Sequence, residues 1–305
     1  MDITTLTDLF GSSAAYVTLA VLAAIGALLV WAFHQGRQIE FWPPKIGPRP
    51  EGADRARKPA TVDRPANVDR LYEVGDASDF YDAIAPNYDQ RNSVNLLATH
   101  MDVITRVEEA RKCKPGLRVL DLGGGTGQNV ATHFFNDSEI VWTYVDFCPA
   151  MVDQLRQHLA KRPIYKRLTW HIEDINRAHL VVPPQSQDLV LLNLVLSSMP
   201  ELPDFNKIAR MLAPGGQLVI SDIDPGYTHA HPYYQAAAKD GSMVAMRTNP
   251  VQPLELVDRM KEAGLRLSEM AGIGSRDISY SFITVFVNDE RPDVSRQHDS
   301  GAVTA

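Results

Sequence analysis

Apolar positions fall into two alternating patterns from residue 94 to residue 287. Val119, Leu120 and Leu122 read as a short buried strand and Asp188–Leu192 as a continuous apolar run buried on both faces, with Ile140–Val145 and Leu168–Ile172 as the second and third strands. Between them lie segments whose apolar residues recur every three to four positions. Leu97, Met101, Ile104 and Val107 make one helical stripe, and Val152, Leu155 and Leu159 make another after Pro149. Phe205, Ile208 and Leu212 follow Pro203, and Leu256, Val257 and Met260 follow Pro253 up to Gly264. Gln217–Ser221, Leu265–Met270 and Ile278–Val287 add three strands. The pattern predicts a doubly covered α/β sheet over residues 71–287.

The amino-terminal pattern is different. Ala14 to Phe33 is an uncharged run of about 20 residues, and at about 1.5 Å per residue it spans about 30 Å, a bilayer's hydrocarbon core. It predicts a single transmembrane helix after a short segment 1–13. A cleaved signal peptide needs a basic start, whereas Asp2 and Asp8 precede this run and no Lys or Arg does. A buried soluble helix would show polar punctuation. Arg37, Lys45, Arg49, Arg55, Arg57 and Lys58 follow the run, so the positive-inside bias puts the carboxyl-terminal domain in the cytoplasm. Residues 34–70 are rich in Pro and Arg and read as an extended tether. The polar residues 288–305 read as a disordered tail.

Composition narrows the function. In 305 residues the net charge is −7 and the pI near 5.7, which disfavours a broad nucleic-acid surface. Cys113 and Cys148 have no Cys or His neighbour at ligand spacing, so neither a disulfide framework nor a metal site is predicted.

The chemistry centres on Leu117–Gly127. Asp121 ends a strand, and Gly123, Gly125 and Gly127 allow a sharp turn pressed against a ligand before a helix begins near Gln128. A dinucleotide-binding G-x-G-x-x-G would place glycine at Gln128, so that reading loses weight. Asp146 ends the second strand about twenty residues past the loop, where a carboxylate suits two ribose hydroxyls.

The Asp-x-Gly-x-Gly-x-Gly stretch, Asp146, Glu173-Asp174-Ile175, the fourth strand and Leu-Ala-Pro-Gly-Gly-Gln-Leu stand in the order that marks a family. With them the chain resembles the class I S-adenosylmethionine-dependent methyltransferases, and Asp79 to Asn92 resembles the lead-in of the ubiquinone and menaquinone C-methyltransferases. The resemblance implies a Rossmann-like sheet of seven strands, the last antiparallel and inserted beside the fifth. It implies S-adenosyl-L-methionine as cofactor, its amino group on Asp121, its amino-acid part on the backbone of Gly123, Gly125 and Gly127, its ribose on Asp146 and its adenine on Asp174 and Ile175. It also places Tyr81 and Tyr88 at the pocket, with Phe147 and Asn193 beside it. For each tyrosine, packing of an amino-terminal helix is an equal alternative. For Asp174 the alternative is a loop acid or helix cap.

Residues 223–252 follow the fifth strand and are expected to form an acceptor-side lid. They carry Tyr227, His229 and His231, the candidates for a general base. The expected acceptor is a small hydrophobic or lipid-like molecule at the membrane face. A donor-binding scaffold without activity and a nicotinamide-dependent oxidoreductase are the alternatives, and the sequence leaves the oligomeric state open.

Overall fold

The structure is a computed structural model that describes residues 38–41, 44–47, 73–91, 94–127, 130–275 and 278–289. The chain divides into two units, residues 1–65 and 66–305. In the first, β1 (Gln38–Phe41) and β2 (Pro44–Gly47) pair antiparallel. Within the stretch expected to be an extended tether these two short strands are extended, and Pro44 opens β2, a position where a missing N–H costs the ladder little. The predicted membrane span Ala14–Phe33 lies outside the described residues. Among the described residues no helix is long and apolar enough to cross a membrane.

The second unit begins with β3 (Glu73–Gly75), α1 (Ala77–Ile84), a 3₁₀ turn over Ala85–Arg91 and α2 (Val94–Cys113). Asp76 caps α1 by accepting the Asp79 N–H. Then come β4 (Arg118–Leu122), β5 (Val141–Asp146), α3 (Pro149–Leu159), β6 (Leu168–Ile172) and β7 (Gln187–Asn193). The chain continues through α4 (Phe205–Met211), β8 (Leu212–Ile223), α5 (Pro225–Ala230), β9 (Tyr233–Ala237) and β10 (Met243–Arg247). It closes with α6 (Pro253–Glu262), β11 (Arg266–Ser275) and β12 (Ile278–Val287).

Seven strands form one sheet in the order β11-β12-β8-β7-β4-β5-β6. Its parallel part runs from β8 to β6, and β12 is antiparallel between β8 and β11. Alternate residues of each central strand face opposite layers. Leu120, Leu122, Val190, Leu192 and Ile220 pack with Phe205, Ile208, Leu256 and Met260, while Val119, Leu189, Leu191 and Val219 pack with Val103, Val107 and Leu155. The Pro-Gly-Gly stretch, expected as the turn between α4 and the fifth strand, lies within the first residues of β8, where Gly215 adopts φ +73°.

Four local expectations are corrected. The stretch Val130 to Asp137, expected within a helix, is a chain of short turns bonded three residues apart, such as His133 to Val130 and Asp137 to Phe134. On α2 the inward face passes through His100, Val103, Ile104 and Val107, leaving Leu97 and Met101 exposed. The tail does not begin at Asn288: its amide nitrogen donates to the Leu212 and Ala213 carbonyls, and its backbone pairs with Gly215 and Gly216. A buried amide that satisfies its own groups this way belongs to the core.

The fourth concerns the lid, since no residue of 223–252 lines the cavity at the strand ends. Instead β9 and β10 pair with each other and β10 pairs with β3, making a small three-stranded sheet. Ala236 and Met246 of that sheet pack with Phe80, Ile84, Cys148 and Met151, so the segment supports α1 from behind.

Candidate functional site

A cavity opens at the carboxyl ends of β4, β5 and β7, where parallel sheets leave a crevice. Asp121, Asp146 and Asn193 stand at the ends of these three strands, which pair in register. Tyr81 and Tyr88 reach the cavity from α1 and the turn after it, Phe147 from the start of the α3 loop, and Asp174 and Ile175 from the loop after β6. Gly123 and Gly125 also line it. The structure thus brings together ten of the eleven residues expected to hold a cofactor.

Gly127 is the exception. It does not line the cavity, and a Cβ there would sit 2.2 Å from Leu155 Cδ1 of α3, with φ at +66°. Its work is close packing of loop and helix, the role the third glycine has in a dinucleotide fingerprint. Gly123 is constrained differently: at φ +71° a Cβ would meet Val195 Cγ2 at 2.4 Å. Gly125, at φ +56°, faces open space, with nothing within 4 Å of a Cβ.

The carboxylates are held by the backbone. Asp146 Oδ2 accepts the Gly125 N–H at 2.9 Å and Oδ1 accepts the Cys148 N–H at 2.8 Å, so this one side chain fixes both the glycine loop and the start of α3. Each oxygen retains a further lone pair for a ligand hydroxyl. Burial raises the Asp146 pKa, and those two N–H groups oppose the rise. Burial pushes Asp121 up to about 7, with the Tyr144 hydroxyl beside it pulling down and the Asp146 charge adding to the rise. Asp174 caps the turn Ile175–Leu180, its Oδ1 accepting the Asn176 N–H at 2.7 Å, so the capping alternative and a place in the cavity wall hold together.

Tyr81 stacks edge-on against Phe80, Tyr88 and Phe147, and its hydroxyl shares a 2.7 Å hydrogen bond with Ser198 Oγ. Helix packing and a place at the pocket are therefore one arrangement for this residue. Asp89 Oδ1 accepts from Thr126 Oγ1 at 2.6 Å, tying the turn that carries Tyr88 to the glycine loop. Beneath the opposite wall, fully buried Asp222 accepts the Ser197 N–H at 2.9 Å, and Asn249 Nδ2 donates to the Met199 carbonyl at 2.7 Å. Leu194 adopts φ +57° on this wall, a conformation that costs a leucine about 1–3 kcal/mol and that periodicity cannot foresee.

Tyr227, His229 and His231 stand apart from the cavity. All three are exposed, and the Tyr227 and His231 rings lie 4.5 Å apart and tilted by 39° on α5 and its cap. This corrects the reading of a base among them: the short helix α5 after β8 carries them to the surface. The histidine inside the cavity is His100 on α2, 7% exposed, its Nδ1 3.1 Å from Asn193 Nδ2. No motif marks it in the sequence, where it sits between the apolar positions of a helical stripe. Among the described residues that line the cavity, three are carboxylates and none is Lys or Arg.

A family model described as a methyltransferase domain matches residues 95–269. An arsenite methyltransferase of Halobacterium salinarum is 30% identical over 178 residues, 56% of this chain and 42% of the relative. A demethylmenaquinone methyltransferase of Lactiplantibacillus plantarum is 29% identical over 143 residues, 46% and 59% respectively. The tRNA N(3)-cytidine methyltransferase METTL6 of Rattus norvegicus is 30% identical over 169 residues, 52% and 57%. The chain spans about half the length of the curated relatives it matches. Among solved structures, the CcbJ methyltransferase of Streptomyces caelestis shares the fold at a TM-score of 0.53 and 18% identity, over 70% of this chain and 98% of that one.

Proposed function

We propose, for a chain that belongs to the methyltransferase-domain family, that it transfers a methyl group from S-adenosylmethionine to a small, apolar acceptor. The observation that carries this reading is the charge of the cavity: Asp121, Asp146 and Asp174 line it with no Lys or Arg among the described residues. Such a wall suits a cationic donor and repels a pyrophosphate, which disfavours a nicotinamide dinucleotide. When bound, S-adenosylmethionine supplies an electrophilic methyl group on a sulfonium sulfur.

The protein's own part is to bind, orient and exclude water. Asp121 receives the donor's ammonium group, the Gly123–Gly125 backbone its amino-acid end, Asp146 the ribose hydroxyls, and Asp174 with the Ile175 N–H the adenine. Tyr81, Tyr88 and Phe147 offer aromatic faces to the sulfonium charge. Leu194, Val195, Met199 and Pro200 complete the wall and favour an apolar acceptor. The relatives act on arsenite, a quinone precursor and a tRNA by their names; the acceptor class here is argued from the cavity and from a net charge of −7. The uncharged run Ala14–Phe33 and the basic residues after it support a single-pass anchor with the catalytic domain on the cytoplasmic side, close to a membrane-dissolved acceptor.

Detergent-solubilised full-length protein, incubated with methyl-labelled S-adenosylmethionine and host extract, is expected to move label into the organic fraction, and Asp146→Ala is expected not to. Label only in the aqueous or protein fraction would refute the apolar acceptor. Donor binding without any label would make the chain a binding subunit, and binding of NAD in place of the donor would make it an oxidoreductase.

Asp121 gives a pH dependence. Its carboxyl, protonated below about 7 in the folded protein, must ionise to pair with an ammonium group. Affinity for S-adenosylhomocysteine is therefore expected to rise about tenfold between pH 6 and pH 8, with proton release, and Asp121→Asn to abolish the slope. Stability runs the other way. An acid whose folded pKa exceeds its unfolded value of about 3.9 stabilises the fold fully below that value, and the contribution is lost as pH rises toward 7. Titration calorimetry in two buffers and denaturant unfolding across pH 4–8 check both signs.

A further inference from the structure

Three polar groups form a directed chain into the cavity wall. Ser221 Oγ lies 2.7 Å from Asn193 Oδ1, and Asn193 Nδ2 lies 3.1 Å from His100 Nδ1. Ser221 is fully buried in β8, and among the described residues Asn193 is the side chain its hydroxyl reaches. A buried O–H needs an acceptor. Turning the Asn193 amide over would face the hydroxyl with an NH₂ group and strand its proton, so the amide oxygen must point to Ser221. The Asn193 NH₂ group then donates to His100, and Nδ1 of His100 is an acceptor without a proton. In a neutral imidazole the proton is on Nε2.

We propose that His100 binds the methyl acceptor by donating its Nε2–H to an acceptor oxygen, a carbonyl or phenolate-type group, and that it is not the general base. Its Nε2 has no protein partner among the described residues and is not fully buried, and His100 lines the cavity. Burial lowers its pKa to about 4, and no carboxylate contributes to that shift, so the ring is neutral at pH 7. Neutral, with one nitrogen occupied by Asn193 and the other protonated, it has no lone pair to take a proton. It offers one fixed donor to a cavity that Leu194, Val195 and Met199 also line. A site built that way discriminates against a ligand lacking the oxygen, because the donor is then left unpaired.

The inference rests on the methyltransferase reading, and its first test does not. Nitrogen-15 spectra of the full-length protein at pH 7 should show His100 with Nε2 protonated and Nδ1 bare, and Asn193→Leu should destroy that preference. A proton on Nδ1, or an imidazolium, overturns the proposal whatever the protein's activity. Second, protein saturated with S-adenosylhomocysteine is titrated with 1-tetralone and with tetralin, which lacks the carbonyl oxygen. The ketone is expected to bind at least tenfold more tightly, His100→Leu to erase the difference, and His100→Gln, which keeps an N–H donor, to restore most of it. Equal binding of both probes, or of neither, overturns it. So does a His100→Leu protein that loses S-adenosylhomocysteine affinity, because His100 would then serve the donor. Wild-type protein that fails to bind S-adenosylhomocysteine refutes the methyltransferase reading instead, and the tautomer result still decides the ring's state.

Discussion

Gly127→Ala is expected to destabilise the domain by about 2–5 kcal/mol while leaving donor affinity of the folded fraction unchanged. Its φ of +66° costs an alanine about 1–2 kcal/mol, and a Cβ 2.2 Å from Leu155 Cδ1 adds an overpacking cost of about 1–3 kcal/mol. Gly125→Ala should behave in the opposite way. It meets no protein atom within 4 Å, so beyond about 1–2 kcal/mol of backbone strain the fold tolerates it. The methyl group stands where the glycine loop must approach the donor, and affinity for S-adenosylhomocysteine should fall at least tenfold. Denaturant unfolding and calorimetry on the two variants separate the packing glycine from the binding one. An affinity loss in Gly127→Ala at full stability would reverse the assignment.

Asp146→Ala should be the most damaging substitution at the site. It removes the acceptor for two backbone N–H groups, Gly125 and Cys148, and a buried donor left unpaired costs about 1–3 kcal/mol. Through Gly125 the loop loses its anchor as well as the ribose its carboxylate, and donor affinity should drop by about 100-fold or more, since hydrogen bonds to a charged group contribute about 1.5–3 kcal/mol each. Adenosine distinguishes the acids. Its binding should be lost with Asp146→Ala and kept with Asp121→Asn, because adenosine carries a ribose and no ammonium group. Equal adenosine binding by the wild type and Asp146→Ala would sink the ribose assignment.

How far the sequence carries depends on whether a role is set by local or by distant neighbours. The seven strands of the large sheet were legible, its central ones as apolar runs closed by a polar or glycine residue, and the places of Asp121, Asp146 and Asn193 follow from where those runs end. Gly127 was misread because its constraint comes from Leu155, a neighbour only after α3 has packed. His100 was invisible for the same reason: its chemistry depends on Asn193 and Ser221, 93 and 121 positions away. The errors at His229 and His231 arose from composition. Aromatic and histidine residues after a strand suggest a lid, yet the β9–β10 hairpin takes its apolar faces to α1 and leaves the turn before it in solvent. The pairing of Gln38–Phe41 with Pro44–Gly47 was hidden by the proline content, which excludes a helix but not a strand end.

The order of strands also governs when this domain can exist. β12, made last, lies between β8 and β11, and its Ser281 bonds Thr99 of α2 across 182 positions. Until residues 278–287 have left the ribosome, β8 has an open edge and α2 lacks its contact with β12. The earlier strands must then wait, unpaired on one side, for a contact of high sequence separation, the kind that slows folding and exposes edges to other chains. Nascent chains stopped before residue 278 should therefore resist compaction and depend on chaperones, and the cavity at the strand ends should form in one step once residues 278–287 are available.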